Sequence, residues 1–496
     1  MRINRPIVIH LMGLLLLCNG AFMLLATLCS AIYRDGATTG IALASIVTML
    51  TGIMAMFLTK GHSKEVKRRE GYVVVTLGWL IMSLSGMLPF LFTGSITTLT
   101  DAFFETISGY TTTGASIVDD IEALPEGILL WRSLTHWIGG MGIIVLAIAI
   151  LPLLGIGGMQ LFDAEAPGPG GDKLHPRITD TAKRLWLIYV GYTVLETLLL
   201  TFAGMGFFDA LNHSMSTMAT GGFSTKNASL AYWNNKPLIQ YITILFMFLA
   251  GTNFVLSYFA FTGRVQRILR DEEFRYYVGF LFIIFLVTAL GIFFKSEVEV
   301  TDYNPRIFGI LESIVRHALF QVLSVTTTTG FVTADYTSWT PFLTVIFFGL
   351  MFLGGSAGST AGGIKVMRHL LIIKNGVLEF KRSLHPNAII PVRYNHRTVT
   401  EHIMYNIIGF FVFYMLVFII GALVFGMMGL DFVSALGVSA SSLGNVGVAL
   451  GEFNPLANFG ALPESGKWWA SFLMLLGRLE LFTVLILFSP EFWKRA

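Results

Sequence analysis

The chain has 496 residues, 54% of them hydrophobic and 13% charged, about half the charge content usual for soluble domains. That balance excludes a water-soluble globular protein, and a net charge of +3 gives no case for a nucleic-acid partner. Cys18 and Cys29 both fall in the first apolar run without zinc-type spacing, so they read as apolar residues rather than a disulfide or metal site.

Taken in chain order, ten apolar runs approach the ~20 residues needed to cross a bilayer core. They cover residues 6–32, 40–59, 72–93, 127–154, 184–204, 237–262, 275–294, 340–365, 401–427 and 467–489. The first is too long for the apolar part of a signal peptide and has no small-residue cleavage site, so it is expected to be retained. Alternate connections between the runs are rich in basic residues: Lys60 to Arg69, Lys173 to Arg184, Arg264 to Arg275 and Lys365 to Arg397. The opposite connections carry Asp119, Asp120, Glu122, Asp335 and Glu452. The positive-inside rule then puts both termini in the cytoplasm of a multi-pass protein of the cell membrane.

Four stretches on the outer side are too short or too polar to cross: 101–115, 209–223, 317–331 and 434–448. Aligned without gaps they read DAFFETISGYTTTGA, DALNHSMSTMATGGF, HALFQVLSVTTTTGF and SALGVSASSLGNVGV. Position two is Ala102, Ala210, Ala318 or Ala435; position eight is Ser108, Ser216, Ser324 or Ser441; position fourteen is Gly114, Gly222, Gly330 or Gly447. Self-similarity at near-constant spacing marks a repeated structural unit, here span, short re-entrant helix, span. The expected fold is an all-α membrane protein with ten transmembrane helices, four re-entrant helices and pseudo-fourfold symmetry. It divides into a two-helix hairpin (1–70) and four repeats (71–183, 184–274, 275–400 and 401–496). Asp101, Asp209 and Ser434 suit helix N-caps, whereas His317 does not, so the third short helix is expected to start earlier, near Asn304 or Glu312.

Non-helical backbone at membrane depth is tolerated only inside protein or along a water-filled cavity. Four such segments converging on one axis would satisfy that condition together, and their carbonyl oxygens would replace the hydration shell of a cation. Glycine allows the backbone angles this needs, and each short helix turns its partly negative C-terminal end toward the axis. The Gly-containing strings hold no carboxylate, which favours a weakly hydrated monovalent ion over Ca²⁺ or Mg²⁺. The predicted ring comprises Thr111, Thr112, Thr113 and Gly114; Ala219, Thr220, Gly221 and Gly222; Thr327, Thr328, Thr329 and Gly330; and Gly444, Asn445, Val446 and Gly447. Thr112, Thr113, Thr220, Gly221, Thr328, Thr329, Asn445 and Val446 are its expected ion ligands.

These residues resemble the filter sequences of the Trk/Ktr/HKT superfamily of K⁺ transporters, and in particular its TrkH-type subunits. Further strings carry the resemblance: HWIGGMG at 136–142, LPLLGIGGMQLF at 151–162, EAPGP at 165–169, GGFST at 221–225, GGSAGSTAGGIK at 354–365 and SLGNVG at 442–447. The two spans before the first repeat fit that type as well. The resemblance implies a single-chain pseudo-tetramer with K⁺ as the transported ion, a homodimer, and a cytoplasmic nucleotide-binding partner ring of the TrkA type. It also implies that the glycine of each repeat defines the filter, and Gly114 in the first position favours K⁺ over Na⁺. Asn445 and Val446 stand where threonines occur elsewhere, so the fourth corner is expected to depart from exact symmetry.

The eighth run is interrupted by Gly354, Gly355, Ser356, Ala357, Gly358, Ser359, Thr360, Ala361, Gly362 and Gly363. Glycine at this density opposes a straight helix, at ~1 kcal/mol each relative to Ala. Either the segment packs helices closely through small residues or, as the resemblance implies, it is a flexible loop obstructing the pore below the filter. Arg478 lies near mid-membrane in the tenth run, where charges are rare and face a cavity or a partner. Glu480 would point to a different face of an ideal helix, so the free carbonyls of the Gly-rich loop are the better partner, unless Arg478 only staples two helices. Arg132 and Arg316 sit nearer the outer face and are expected to snorkel. Competing functions are a membrane-embedded enzyme, for which Asp119, Asp120 and His136 are the candidates, and a non-conducting assembly subunit. No His/Asp/Glu set has metal-ligand spacing and no nucleophile motif is present.

Overall fold

The computed structural model describes residues 3–61, 68–142, 178–295 and 309–494. Among them the chain is helical throughout, apart from connecting loops and a two-stranded hairpin that pairs Arg393–Tyr394 with Arg397–Thr398. Six helices are long and apolar enough to cross a bilayer: Arg5–Tyr33, Thr38–Leu58, Arg69–Thr93, Lys183–Phe202, Glu272–Phe294 and Glu401–Met427. The protein is therefore a multi-pass membrane protein.

The first two helices form a hairpin held through small residues. A β-carbon on Gly13 would lie 2.7 Å from the Gly52 carbonyl oxygen, and Ser45 donates to the Gly20 carbonyl at 2.8 Å. Asn19, buried in the same hairpin, donates to Ser85 at 2.8 Å and accepts from the Tyr110 hydroxyl at 2.6 Å. The hairpin is thereby fixed to the end of the first short helix.

The four short helices span Leu99–Tyr110, Phe207–Ala219, Ile310–Thr326 and Phe432–Gly444. Their C-terminal ends fall where the repeat alignment puts them. Their starts do not: the caps are Thr98, Gly206 and Asp431, each three residues before the expected Asp101, Asp209 and Ser434. Thr98 accepts from the Asp101 N–H at 3.1 Å and its hydroxyl donates to the Asp101 carboxylate, so Asp101 is a first-turn residue bound to the cap instead of the cap itself. Asp431 accepts from the N–H groups of Val433 and Ser434. The third helix begins at Ile310, close to Glu312, as the poor capping ability of His317 predicts.

The runs that follow the short helices are not regular α-helices among the described residues. The fourth is α-helical over Glu126–Trp137 and then widens into a π turn at Ile138–Gly142, its remainder lying outside the described residues, as do LPLLGIGGMQLF and EAPGP. The sixth, expected as one span, is bent by 108° between Pro237–Gly251 and Phe254–Phe261. Asn253 causes this by capping the second piece, accepting from the Val255 N–H at 2.9 Å. The eighth is helical only over Pro341–Leu350 before the Gly-rich segment. The tenth is bent by 115° between Glu464–Arg478 and Phe482–Phe488, where Glu480 and Leu481 take φ of 55° and 46°.

Candidate functional site

Beyond each short helix the backbone turns in the same way four times. Position twelve, held by Thr112, Thr220, Thr328 and Asn445, has φ of 51°, 55°, 55° and 55°. Position fourteen, held by Gly114, Gly222, Gly330 and Gly447, has φ of 79°, 86°, 77° and 87°. In every repeat the carbonyl of the shared serine accepts the N–H of position thirteen: Ser108 from Thr113, Ser216 from Gly221, Ser324 from Thr329 and Ser441 from Val446, at 2.8–2.9 Å. This is the six-to-one bond that closes a helix with a left-handed residue after it. A left-handed turn costs ~1–2 kcal/mol at a residue with a β-carbon, and surrounding structure must enforce it at the three threonines. Asn445 adopts it more readily. The fourth corner, expected to break symmetry, thus keeps the shared backbone and differs in its side chain.

The four turns touch in cyclic order. A β-carbon on Gly114 would come closer than 3.0 Å to the carbonyl oxygen of Gly221, one on Gly222 to that of Thr329, one on Gly330 to that of Val446, and one on Gly447 to that of Thr113. Each position-fourteen glycine therefore abuts the position-thirteen carbonyl of the next repeat, and the fourth returns to the first. The ring offers backbone and threonine oxygens and contains no carboxylate. In the first and third repeats the hydroxyls of Thr111 and Thr113, and of Thr327 and Thr329, bond at 2.8 and 2.7 Å. In the fourth, Asn445 Nδ2 donates to Thr113 Oγ1 at 3.0 Å and to the Met474 carbonyl at 2.8 Å.

Buried ionic groups brace the ring. Arg132 does not snorkel: it is 1% exposed, pairs with Glu105 at 2.8 Å, donates to the Ser224 carbonyl and Ser116 Oγ, and lies 4.2 Å from the centre of the Phe223 ring. Glu105 in turn accepts from the Ile117 N–H at 3.0 Å. The first short helix, the loop segment leaving its turn and the second repeat are joined through this one pair. Arg316 is buried too, bound to Glu312 one turn earlier at 2.8 Å and to Gln240. Burial of an arginine with a carboxylate replaces the water that snorkelling would have reached. His136 places Nδ1 3.0 Å from Ser216 Oγ and stacks on Phe223, while Asp119 and Asp120 engage Asn458 and Asn227. Among the described residues no three His, Cys, Asp or Glu form a metal-holding group.

Below the ring the Gly-rich segment is non-helical and lies against it. Gly362 N–H donates to Thr328 Oγ1 at 2.7 Å, and a β-carbon there would be 2.8 Å from that of Asn445. Thr360 donates to the carbonyl of Met218, at the end of the second short helix. Ser356 N–H donates to the Gly251 carbonyl at 2.9 Å, at the break in the sixth run. Arg478 binds the loop as the sequence predicts, through Nη1 to the Thr360 carbonyl at 2.8 Å. It also donates to the carbonyls of Gly139 and Gly140, at 2.8 and 3.1 Å. Sequence reasoning missed that second attachment. Glu480, set aside on ideal-helix geometry, pairs with Arg368, because the helix ends at Arg478 and the chain turns there.

Three of the four runs after the turns break below the ring, at Thr252–Asn253, the loop after Leu350, and Leu479–Leu481, and the remaining one widens into the π turn at Ile138–Gly142, where the described residues end. Only the break after Leu350 is legible in the sequence. A glycine precedes each of the other two breaks, Gly251 and Gly477, and Gly139 lies in the π turn; these were the available signals.

A family model described as a cation transport protein, TrkH, matches residues 38–495. The chain belongs to this family. It is 42% identical over 488 residues to the Trk system potassium uptake protein TrkH of Escherichia coli (strain K12), covering 98% of each. It is 34% identical over 492 residues to the Trk system potassium uptake protein TrkG of the same organism, again covering 98% of each. Its structure is similar to the crystal structure of the potassium transporter TrkH from Vibrio parahaemolyticus, with a TM-score of 0.87 and 38% identity, over 99% of this chain and 100% of that one. Membership of a cation transport family sets aside the reading as a membrane-embedded enzyme.

Proposed function

We propose that this chain takes up K⁺, and Rb⁺ in its place, across the cell membrane through one pore made by its own four repeats. The observation that carries this is the cyclic contact of the four glycines with the carbonyl of the next repeat. A ring of carbonyl and hydroxyl oxygens without carboxylates suits a dehydrated monovalent cation, and the relatives are named as potassium uptake proteins. In this reading Thr111–Gly114, Ala219–Gly222, Thr327–Gly330 and Gly444–Gly447 are the filter, with position-twelve and position-thirteen oxygens as ligands. On this reading there are ten crossings, each broken run counted once, so both termini lie on one side, and the basic connections make that side the cytoplasm; the two-helix hairpin at 1–70 precedes repeats that divide near 183, 274 and 400.

The loop from Gly354 to Gly363 is the gate, and Arg478 holds it across the path. Its guanidinium donates to loop and π-turn carbonyls, and its charge opposes a cation leaving the filter. The protein works as a homodimer with one pore per chain, since four repeats already close a ring, and with a cytoplasmic nucleotide-binding partner of the TrkA type. Rubidium flux into vesicles containing only the purified chain tests the conduction reading. Absence of flux with the folded protein present, in the parent and in Arg478→Ala alike, would leave the assembly-subunit reading instead.

A further inference from the structure

Glu273 stands at the start of the helix Glu272–Lys295, is 3% exposed, and accepts through Oε1 from the backbone N–H of Ala357 at 2.7 Å. Two ionisable side chains from other elements thus hold the Gly-rich loop three residues apart. A carboxylate takes the amide of Ala357, and a guanidinium takes the carbonyl of Thr360. The neighbouring loop bonds, Ser356 N–H to the Gly251 carbonyl and Phe254 N–H to the Gly358 carbonyl, join backbone to backbone, whereas Ala357 and Thr360 are held by side chains of two other helices and Ala361 by Lys365.

The other side of the same helical turn is tied to the hairpin at 393–398. Asn395 Oδ1 accepts the Glu272 N–H at 2.9 Å, and its Nδ2 donates to Asp271 at 2.8 Å. Lys374 bridges the Glu272 carboxylate and the Arg393 carbonyl. Asp271 also caps the helix, accepting from the Phe274 N–H at 2.8 Å, which stiffens the turn. Three consecutive residues therefore connect a surface hairpin, with Arg393, His396 and Arg397 exposed, to the loop beneath the ring.

We infer that Glu273 is a second latch on the loop, and that the turn Asp271–Glu273 transmits displacement of the hairpin to it. This rests on the gate reading above and assigns the route by which a cytoplasmic event reaches the gate. Glu273 is a positioning residue, since it touches the loop and not the ion.

The test is rubidium flux per folded molecule in vesicles, for the full chain and for Glu273→Ala, Glu273→Gln, Asn395→Gly and Arg478→Ala. Glu273→Ala is expected to raise flux about fivefold or more, the low end of ordinary coupling between sites. Glu273→Gln, which keeps an oxygen acceptor for Ala357, should fall back toward the parent. Asn395→Gly keeps the left-handed backbone at φ 45° and removes the side chain. It should raise flux in the same direction, quicken amide exchange at 354–363, and add nothing when combined with Glu273→Ala. If Arg478→Ala raises flux while Glu273→Ala and Asn395→Gly do not, the latch is wrong and the gate reading stands. If none of the variants changes flux, the gate reading itself fails. A loss of folded protein shared by Glu273→Ala and Glu273→Gln, with unchanged amide exchange in Asn395→Gly, would also overturn the inference.

Discussion

Gly447 in the last repeat lies against the carbonyl oxygen of Thr113 in the first, and that contact turns four similar segments into a closed ring. Repeats one to three make the same contact forward along the chain. Because a single chain closes the circle, no second copy is needed to complete the site.

The glycines should be intolerant of any side chain. At all four, φ is left-handed and a β-carbon meets backbone, which cannot swing aside as a side chain can. Gly222→Ala, Gly330→Ala and Gly447→Ala are each expected to cut rubidium flux by about tenfold or more at normal yield, from the ~1–2 kcal/mol of left-handed strain alone. Gly114→Ser should lower the preference for K⁺ over Na⁺, read as the shift in reversal potential in mixed-ion vesicles. Unchanged flux and ion preference in all four would remove these residues from the pore.

Arg478→Ala should raise K⁺ flux. Each of its bonds is charge-assisted and worth ~1.5–3 kcal/mol before the cost of burying the charge. Losing the Thr360 attachment should shift a two-state loop by about tenfold. Flux per molecule of folded protein decides the matter, since an arginine that only joins helices would lower yield and leave flux unaltered. Deleting residues from the loop should act in the same direction as Arg478→Ala.

The ring was legible because its demands fall on residue type at single positions. A left-handed backbone at position fourteen leaves glycine as the easy choice, so Gly114, Gly222, Gly330 and Gly447 stand out in an ungapped alignment. Arg478 was legible because a charge inside an apolar run is costly. The helix starts were misplaced by three residues because Asp101, Asp209 and Ser434 suit a first turn as well as a cap, and only contacts tell the two apart. The bends at Thr252–Asn253 and Leu479–Leu481 were hidden because hydropathy averages over a break, and a broken run reads the same as a straight one. Arg132 gave no sign of burial because Glu105 sits in a different helix. The Glu312–Arg316 pair, one turn apart, was readable and was overlooked. The serine at position eight has its role in its carbonyl; its side chain bonds His136 in one repeat and the Phe331 carbonyl in another, with no contact common to all four.

Breaking the Glu105–Arg132 pair should destabilise the protein far more than removing both charges. Arg132→Met leaves a buried carboxylate without its partner, at a cost of ~3–5 kcal/mol, whereas the double change Glu105→Met with Arg132→Met avoids the unpaired charge. Thermal unfolding in detergent should show a large drop for the single variant and recovery of most of it for the double. Equal drops would mean that packing against Phe223, and not the charge pair, is what matters.

Asn445→Leu should weaken the fourth corner specifically. It removes two buried hydrogen bonds, to the Met474 carbonyl and to Thr113 Oγ1, each worth ~0.5–1.5 kcal/mol. It also puts a branched side chain at φ 55°, a conformation Asn tolerates better. Reduced selectivity for K⁺ over Na⁺, with residual flux, is the expected result. Selectivity identical to the parent would show that this corner does not shape the ion path.

The most direct measurement is competitive uptake of radioactive rubidium by vesicles containing only this purified chain. The account predicts uptake that external K⁺ suppresses at low concentration and Na⁺ only at much higher concentration, and that Gly447→Ala cuts about tenfold or more. Equal suppression by Na⁺ and K⁺, or full uptake by Gly447→Ala, would contradict a carbonyl ring closed by the four glycines.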